Sequence, residues 1–468
     1  MPGVALLWYR RDLRLHDHPA LQAALGSAAS IVPVFVLDPR LLDGRRASAN
    51  RAWFLIGTLR ELADDLAARG APLIVRHGDP RVVIPGLAAE LGARDVFATR
   101  DVSPFARARD RGVAEGLAAA GGRLHLCHGL LVAEPEQIHT ADGRPVTVFT
   151  PFARRWAALP PRVPASAPTR IPSALPRSGA GDGLPQPPAP TAEPALLPRP
   201  GEQAARERLA AWVASPALEA YADGRDRLDL GGTSGLSASL KFGTISPVEV
   251  LRAVAGPGDG RRAFVAELCW RDFYAHVLWH APHVVRAAYR PLGDAVPWID
   301  DPAGVAAWRT GRTGYPVVDA AMRQLTAAGW VPNRARMIAA SFLTKDLLVD
   351  WRTGEDHFMR LLVDGDVAAN NGGWQWVAGT GTDAAPYFRI FNPVSQGRRF
   401  DPDGTYVRRW VPELARVPRE HVHAPWTMPR DVQEAAGCLV GRDYPGPIVD
   451  HAAARQRVLA AYAGLRRA

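Results

Sequence analysis

Val4-Ala5-Leu6-Leu7-Trp8 begins the chain with a short apolar run that breaks at once into Tyr-Arg-Arg-Asp-Leu-Arg-Leu-His-Asp-His-Pro-Ala-Leu, ending at residue 21. Four more β-rich apolar runs follow, at Ile31–Leu37, Pro72–Arg76, Asp95–Thr99 and Arg123–Cys127. Helix-period patterns separate them, as at Arg51–Arg69 and Pro80–Leu91. Nearly continuous apolar strands alternating with helices indicate a parallel sheet covered on both faces. Residues 1–132 are therefore expected to form an α/β domain, with any ligand beyond the carboxyl ends of its strands.

Beyond Gly201 the apolar period changes to about 3.6, rich in Ala, Leu and Trp, and strand signals cease. This predicts an all-helical domain over 201–468. Roughly a third of the residues between Pro160 and Pro200 are proline, so residues 133–200 read as an extended, poorly packed linker. A length of 468 residues gives room for two or three domains. Hydrophobic content of 47% and charged content of 22% are those of a globular protein.

No apolar run is long enough to span a membrane, and no secretory leader opens the chain. Cys127, Cys269 and Cys438 lack CxxC spacing, which fits reduced thiols in a cytoplasm. No metal is expected, nothing calls for a protein partner, and a monomer is the simplest expectation. The net charge of +9 fits a polyanionic partner. Only Lys241 and Lys345 are lysines; a GC-rich coding bias accounts for the excess of arginine, whose planar fork nevertheless suits phosphate.

Asp364-Gly-Asp366-Val-Ala-Ala-Asn370-Asn-Gly-Gly-Trp374-Gln-Trp376, continued by Thr-Gly-Thr-Asp-Ala-Ala-Pro-Tyr-Phe-Arg-Ile-Phe-Asn-Pro, sets carboxylates, amides and indoles among small residues. It has no nucleophile or metal-ligand pattern. The mixture suits a flavin site that moves electrons, although an Asp-Gly-Asp also caps helices. Glu267, Trp270, Arg271 and Tyr274 share one helix face, which by spacing alone is a Glu–Arg pair among packed aromatics. Asn333, Arg334, Arg336 and Met337 follow Pro332 at a helix start, where a lone methionine is ordinary core filler. Gly232-Thr233-Ser234-Gly235-Leu236-Ser237 offers N–H and O–H donors to a pyrophosphate, as many plain loops would.

Together these stretches resemble the DNA photolyase and cryptochrome family over almost the whole chain, most like its bacterial class I cyclobutane pyrimidine dimer photolyases. The resemblance implies a Rossmann-like antenna domain followed by an all-α domain that binds FAD and the DNA lesion. It implies a lyase that repairs cyclobutane pyrimidine dimers in UV-damaged DNA by electron transfer from light-excited, reduced FAD to a flipped-out dimer. Tyr221, Thr233, Ser234, Gly235, Leu236 and Ser237 match the clamp on the flavin's phosphates, and the family commonly has Arg where Gly235 stands. Arg271, Arg336, Asp364 and Asp366 match flavin contacts, with Arg336 pairing Asp364, and Asn370 matches an amide near flavin N5.

On the lesion side, Glu267, Trp270, Asn333, Met337 and Trp376 match the dimer pocket, while Arg225, Arg334, Arg389 and Gln396 match positions near the DNA backbone. Trp374, Trp351 and Trp298 match an inner, middle and outer electron-hopping set. Arg51, Asp101 and Lys241 match binding positions for an 8-hydroxy-5-deazaflavin antenna; methenyltetrahydrofolate is the alternative, although Val285-Arg286 replaces the Cys-Lys pair of folate-using relatives. A cryptochrome-like photoreceptor is disfavoured by Asn370, where plant cryptochromes have Asp. A (6-4) photolyase is disfavoured because Asn333 and Met337 stand where histidines are typical.

Overall fold

The computed structural model describes residues 3–173, 175, 181–383 and 389–465. Part of the proline-rich stretch and Ala384 to Phe388 of the stretch quoted above lie outside the described residues.

Five parallel strands form one sheet in the order β3-β2-β1-β4-β5: β1 Val4–Tyr9, β2 Ser30–Leu37, β3 Ile74–His77, β4 Asp95–Thr99 and β5 Arg123–Cys127. β1 lies at the centre, with Ala5 opposite Ile31 on one side and Asp95 on the other. Its residues Ala5 to Tyr9 are buried on both faces, which explains the unbroken apolar run. β3 begins later than its apolar pattern because Pro72 has no N–H to give the ladder. Helices Ala49–Ala68 and Pro80–Glu90 lie within two residues of their sequence patterns; Ser48 and Asp79 cap them by accepting from the N–H groups of Arg51 and Arg81. The chain runs outward from β1 through β2 to β3 and then crosses back to β4, so the crevice between β1 and β4 is the switch point where such sheets take ligands.

From residue 202 onward the described chain is helical and contains no strand. Its core centres on Pro316–Ala328, where Val317, Val318, Ala320, Ala321, Met322 and Leu325 are all buried.

The linker is better packed than its composition suggests. Helix Phe149–Ala158 buries Phe152 and Trp156 against Asp259–His280, and the Trp156 indole donates to Asp272 at 2.9 Å. Further on, Ile171, Ala192 and Leu197 enter the core of the α/β domain. Prolines lack an N–H, but residues between them bond to folded neighbours: Ile171 donates to the Arg69 carbonyl at 2.9 Å and Ala192 donates to Asn50 at 3.0 Å. Asp17 receives Arg162 from the linker and the Ser246 hydroxyl from the helical domain, so one buried carboxylate joins three parts of the chain.

Candidate functional site

Helix Val367–Ala378 organises the site. Asp366 caps it, accepting from the Ala369 N–H at 3.0 Å. Just before it, Asp364 is buried and lies 2.7 Å from Nη2 of Arg336, which projects from helix Asn333–Ser341. The second Asp364 oxygen is buried without a hydrogen-bond partner among the described residues. A buried, unsatisfied carboxylate oxygen calls for an incoming donor, a requirement that a flavin-ring N–H would meet. Asn370 Nδ2 donates to the Glu355 carbonyl at 3.0 Å, which leaves its amide oxygen as the acceptor for a protonated ring nitrogen.

Arg11 was not singled out in the sequence, yet it joins the two domains. It lies just past β1, at the switch-point crevice. Its guanidinium is 2.5 Å from Asp366 and 3.4 Å from Asp101, and its Nε donates to the Lys241 carbonyl at 3.1 Å. Burial works against the charge on Asp366 and Asp101, but Arg11 and backbone N–H groups hold both carboxyls below the usual range. Burial, with Arg51 and Arg11 close by, pushes the Lys241 ammonium well below the usual lysine range. The Arg51 guanidinium donates to the carbonyls of Arg46, Met359 and Leu362, which are its observed partners, and burial lowers it to about 10. A Cβ on Gly365 would lie 2.8 Å from Arg51 Nη1, so the glycine between the two aspartates makes room for it. Residues matched to two different cofactors thus share one charged cluster. A doubled arginine directly after the first strand was the available signal for Arg11.

The residues matched to a phosphate clamp lie between helices. Tyr221 is buried edge-on against Trp212 and Phe264. Gly235 has φ +68°, a left-handed turn, and the Trp330 indole donates to the Ser237 hydroxyl at 3.2 Å. Arg271 donates to the carbonyls of Leu130 at 2.7 Å and Leu240 at 3.3 Å, bracing this region against the loop after β5.

On the other side of the organising helix, Trp270, Tyr274, Trp376, Gln375 and Asp383 line a small, half-open pocket. Gly372 is required here, because a Cβ would come within 2.1 Å of the Tyr274 ring. One face of Trp270 is covered by Phe149, with ring centroids 3.5 Å apart and planes inclined by 4°. Phe149 was missed because it lies in the stretch read as linker. Glu267, Asn333 and Met337 are not among this cavity's lining residues. Glu267 is ion-paired with Arg225, and Asn333 contacts Met337 sulfur at 3.7 Å. Burial raises the Glu267 carboxyl and Arg225 draws it back down. Arg334 pairs with Asp226 at 2.5 Å and stacks over Phe400 at 4.4 Å. Arg389 is exposed, whereas Gln396 has a buried side-chain oxygen without a partner among the described residues.

The tryptophans matched as a hopping set step from core to surface: Trp374 and Trp351 are buried and Trp298 is half-buried. Trp374 meets Phe358 edge-on at 5.1 Å and Trp308 at 6.1 Å. Trp308, fully buried, was not singled out in the sequence. The Arg352 guanidinium lies 4.6 Å over the Trp351 ring. Among the described residues no cluster can hold a metal ion, and no helix is long and apolar enough to cross a membrane.

A parallel-sheet domain joined through Arg11 to a helical, flavin-type site defines a two-domain flavoprotein, and the chain belongs to the DNA photolyase family. Residues 5–171 match the DNA photolyase family model, and residues 264–464 match the FAD binding domain of DNA photolyase. The first match runs past residue 132, through the helix Phe149–Ala158 and as far as Ile171, which enters the α/β core. The chain is 44% identical over 458 residues to the deoxyribodipyrimidine photo-lyase of Streptomyces griseus, covering 97% of this chain and 98% of that one. Among solved structures it resembles a bacterial class III photolyase from Agrobacterium tumefaciens, with TM-score 0.93 and 38% identity, covering 100% of this chain and 98% of the other. It also resembles a Synechocystis cryptochrome, with TM-score 0.90 and 31% identity, covering 98% and 99%.

Proposed function

We propose that this chain splits cyclobutane pyrimidine dimers in UV-damaged DNA with light, a deoxyribodipyrimidine photo-lyase reaction. One observation carries the reading. Asp366 caps helix Val367–Ala378, which carries Asn370, Trp374 and Trp376, so residues matched to flavin contacts, an electron relay and the lesion pocket share one rigid element. When bound, reduced FAD supplies on illumination the electron that opens the dimer's ring and takes it back afterwards.

The chain's own residues do the positioning. Asp364, fixed by Arg336, accepts from the flavin ring's polar edge, and Asn370 presents its amide oxygen. Residues 233–237 and Tyr221 hold the phosphates, with Arg271 bracing them. Trp270 and Trp376 offer aromatic surface to a flipped base. Glu267 meets the dimer's carbonyl edge beside Asn333 and Met337, while Arg225, Arg334, Arg389 and Gln396 meet the DNA backbone and make its affinity salt-sensitive. Trp374, Trp351 and Trp298 carry an oxidising charge outward, so that the cofactor is brought to its reduced state.

The antenna is 8-hydroxy-5-deazaflavin in the crevice beside Asp101, Arg11 and Lys241, with methenyltetrahydrofolate as the alternative; Arg51 acts there by shaping the wall. The enzyme works as a cytoplasmic monomer, in keeping with three free cysteines. The likeness to a cryptochrome motivates a second reading as a photoreceptor, against which Asn370 and Glu267 stand. The test is light-dependent loss of thymine dimers from a defined oligonucleotide by reduced protein, with a (6-4) oligonucleotide and a dark sample alongside. Cyclobutane repair in light alone is expected; no repair by protein with photoreducible flavin would favour the photoreceptor.

A further inference from the structure

The turn at residues 232–237 has a left-handed glycine, Gly235, and an arginine from a neighbouring helix lies against it. Arg208, on helix Glu202–Val213, donates from Nε to the Ser234 carbonyl at 2.5 Å and from Nη2 to the Thr233 carbonyl at 3.5 Å. A Cβ on Gly235 would lie 3.0 Å from Arg208 Nη2, 3.2 Å from Nε and 3.4 Å from the central carbon. Gly235 is therefore what lets the guanidinium lie flat against the turn. Among the described residues no carboxylate pairs with Arg208, unlike Arg225, Arg334 and Arg336.

A trans peptide sets C=O and the next N–H in opposite directions. With the Thr233 and Ser234 carbonyls turned toward Arg208, the N–H groups of Ser234 and Gly235 face away from it. A cation on the carbonyl side also polarises those peptides, which strengthens their N–H groups as donors. We propose that Arg208 is a positioning residue of the flavin site, aiming the Ser234 and Gly235 N–H groups at the FAD pyrophosphate. The assignment rests on reading residues 232–237 as the phosphate clamp.

The experiment follows FAD release from diluted holoprotein by the rise in flavin fluorescence, in wild type, Arg208→Met, Gly235→Ala and the double variant. Riboflavin, which has no pyrophosphate, is the control ligand. Arg208→Met is expected to weaken FAD about tenfold, the size of a charge-assisted hydrogen-bond loss, and to leave riboflavin unchanged. Gly235→Ala should cost less in the Arg208→Met background than in wild type, because the clash it causes is then gone. Arg208→Lys should fall between. FAD affinity within twofold of wild type in Arg208→Met, equal weakening of riboflavin, or strictly additive variants would each overturn the assignment. Thr233→Val/Ser234→Ala separates the two levels. If it weakens FAD while Arg208→Met does not, only Arg208 is misassigned; if it too has no effect, the clamp reading itself fails.

Discussion

Gly354 lies directly under the indole of Trp374: a Cβ on residue 354 would come within 2.1 Å of the ring. The glycine sits one turn after Trp351 on the same helix, Trp351–Leu361, so one close approach fixes the spacing between two tryptophans of the proposed relay. Gly354→Ala must push Trp374 out of place. Overpacking of this kind costs about 1–3 kcal/mol. The expected result is a folded protein with lowered thermal stability and photoreduction of oxidised FAD slowed by roughly tenfold or more, equivalent to about 1.4 kcal/mol of barrier. Photoreduction at the wild-type rate would remove Trp374 from the relay.

The outer steps have separate tests. Trp298→Phe should abolish photoreduction yet spare repair by enzyme reduced beforehand. Arg352 places a cation over Trp351, which disfavours a positive charge on that ring and drives it outward. Arg352→Met should therefore lengthen the life of the oxidised Trp351 in transient absorption. An unchanged decay would show that the cation has no influence on the hop.

Burial raises the Glu267 carboxyl above its usual range, and the paired Arg225 works against that rise. When a DNA phosphate takes up Arg225, the carboxyl loses its counter-charge and a proton should bind. Lesion-DNA binding by wild type near neutral pH is then accompanied by proton uptake, measurable by calorimetry in buffers of different ionisation enthalpy. Glu267→Gln should show none and should lower the repair yield with flavin retained. Equal proton uptake in the two proteins would exclude Glu267 as the site.

Lys345 is buried, donates to the Ala378 carbonyl at 2.7 Å and has no carboxylate partner among the described residues. Burial lowers it to about 7. Between pH 7 and the usual lysine range the unfolded chain holds a proton that the folded chain has released, so stability rises with pH across that window. Relative to Lys345→Met, wild type should gain about 1.4 kcal/mol per pH unit there, read from denaturant midpoints. Parallel curves for the two proteins would mean that the lysine titrates normally.

Periodicity made the architecture legible: β1, β2 and β4 each lie within a residue of their apolar runs, because strands buried on both faces leave no ambiguity, and the more exposed edge strand β5 matches its run as well. The clustered motifs were equally readable, since Asp364, Asp366, Asn370, Trp374 and Trp376 all belong to one helix and its lead-in. What the sequence hid were partners distant along the chain. Arg11 meets Asp366 across 355 positions. Phe149 meets Trp270 from a segment whose composition resembles a tether, and Trp308 meets Trp374 with no local pattern to mark it. The poorly packed linker was misjudged because proline content reports missing N–H donors, not whether the intervening residues find a core.

The lacing of the proline-rich segment over both halves has a further consequence. Asp17 binds Arg162 and Ser246 together, and Arg11 crosses from β1 to Asp366, so the halves are held by side chains rather than by the covalent tether alone. A chain severed between residues 181 and 190 would remain one particle, and two fragments meeting there, synthesised separately, would reassemble through those same contacts. The same side-chain contacts would set the distance between a pigment lodged in the crevice and a flavin bound beside Asp366.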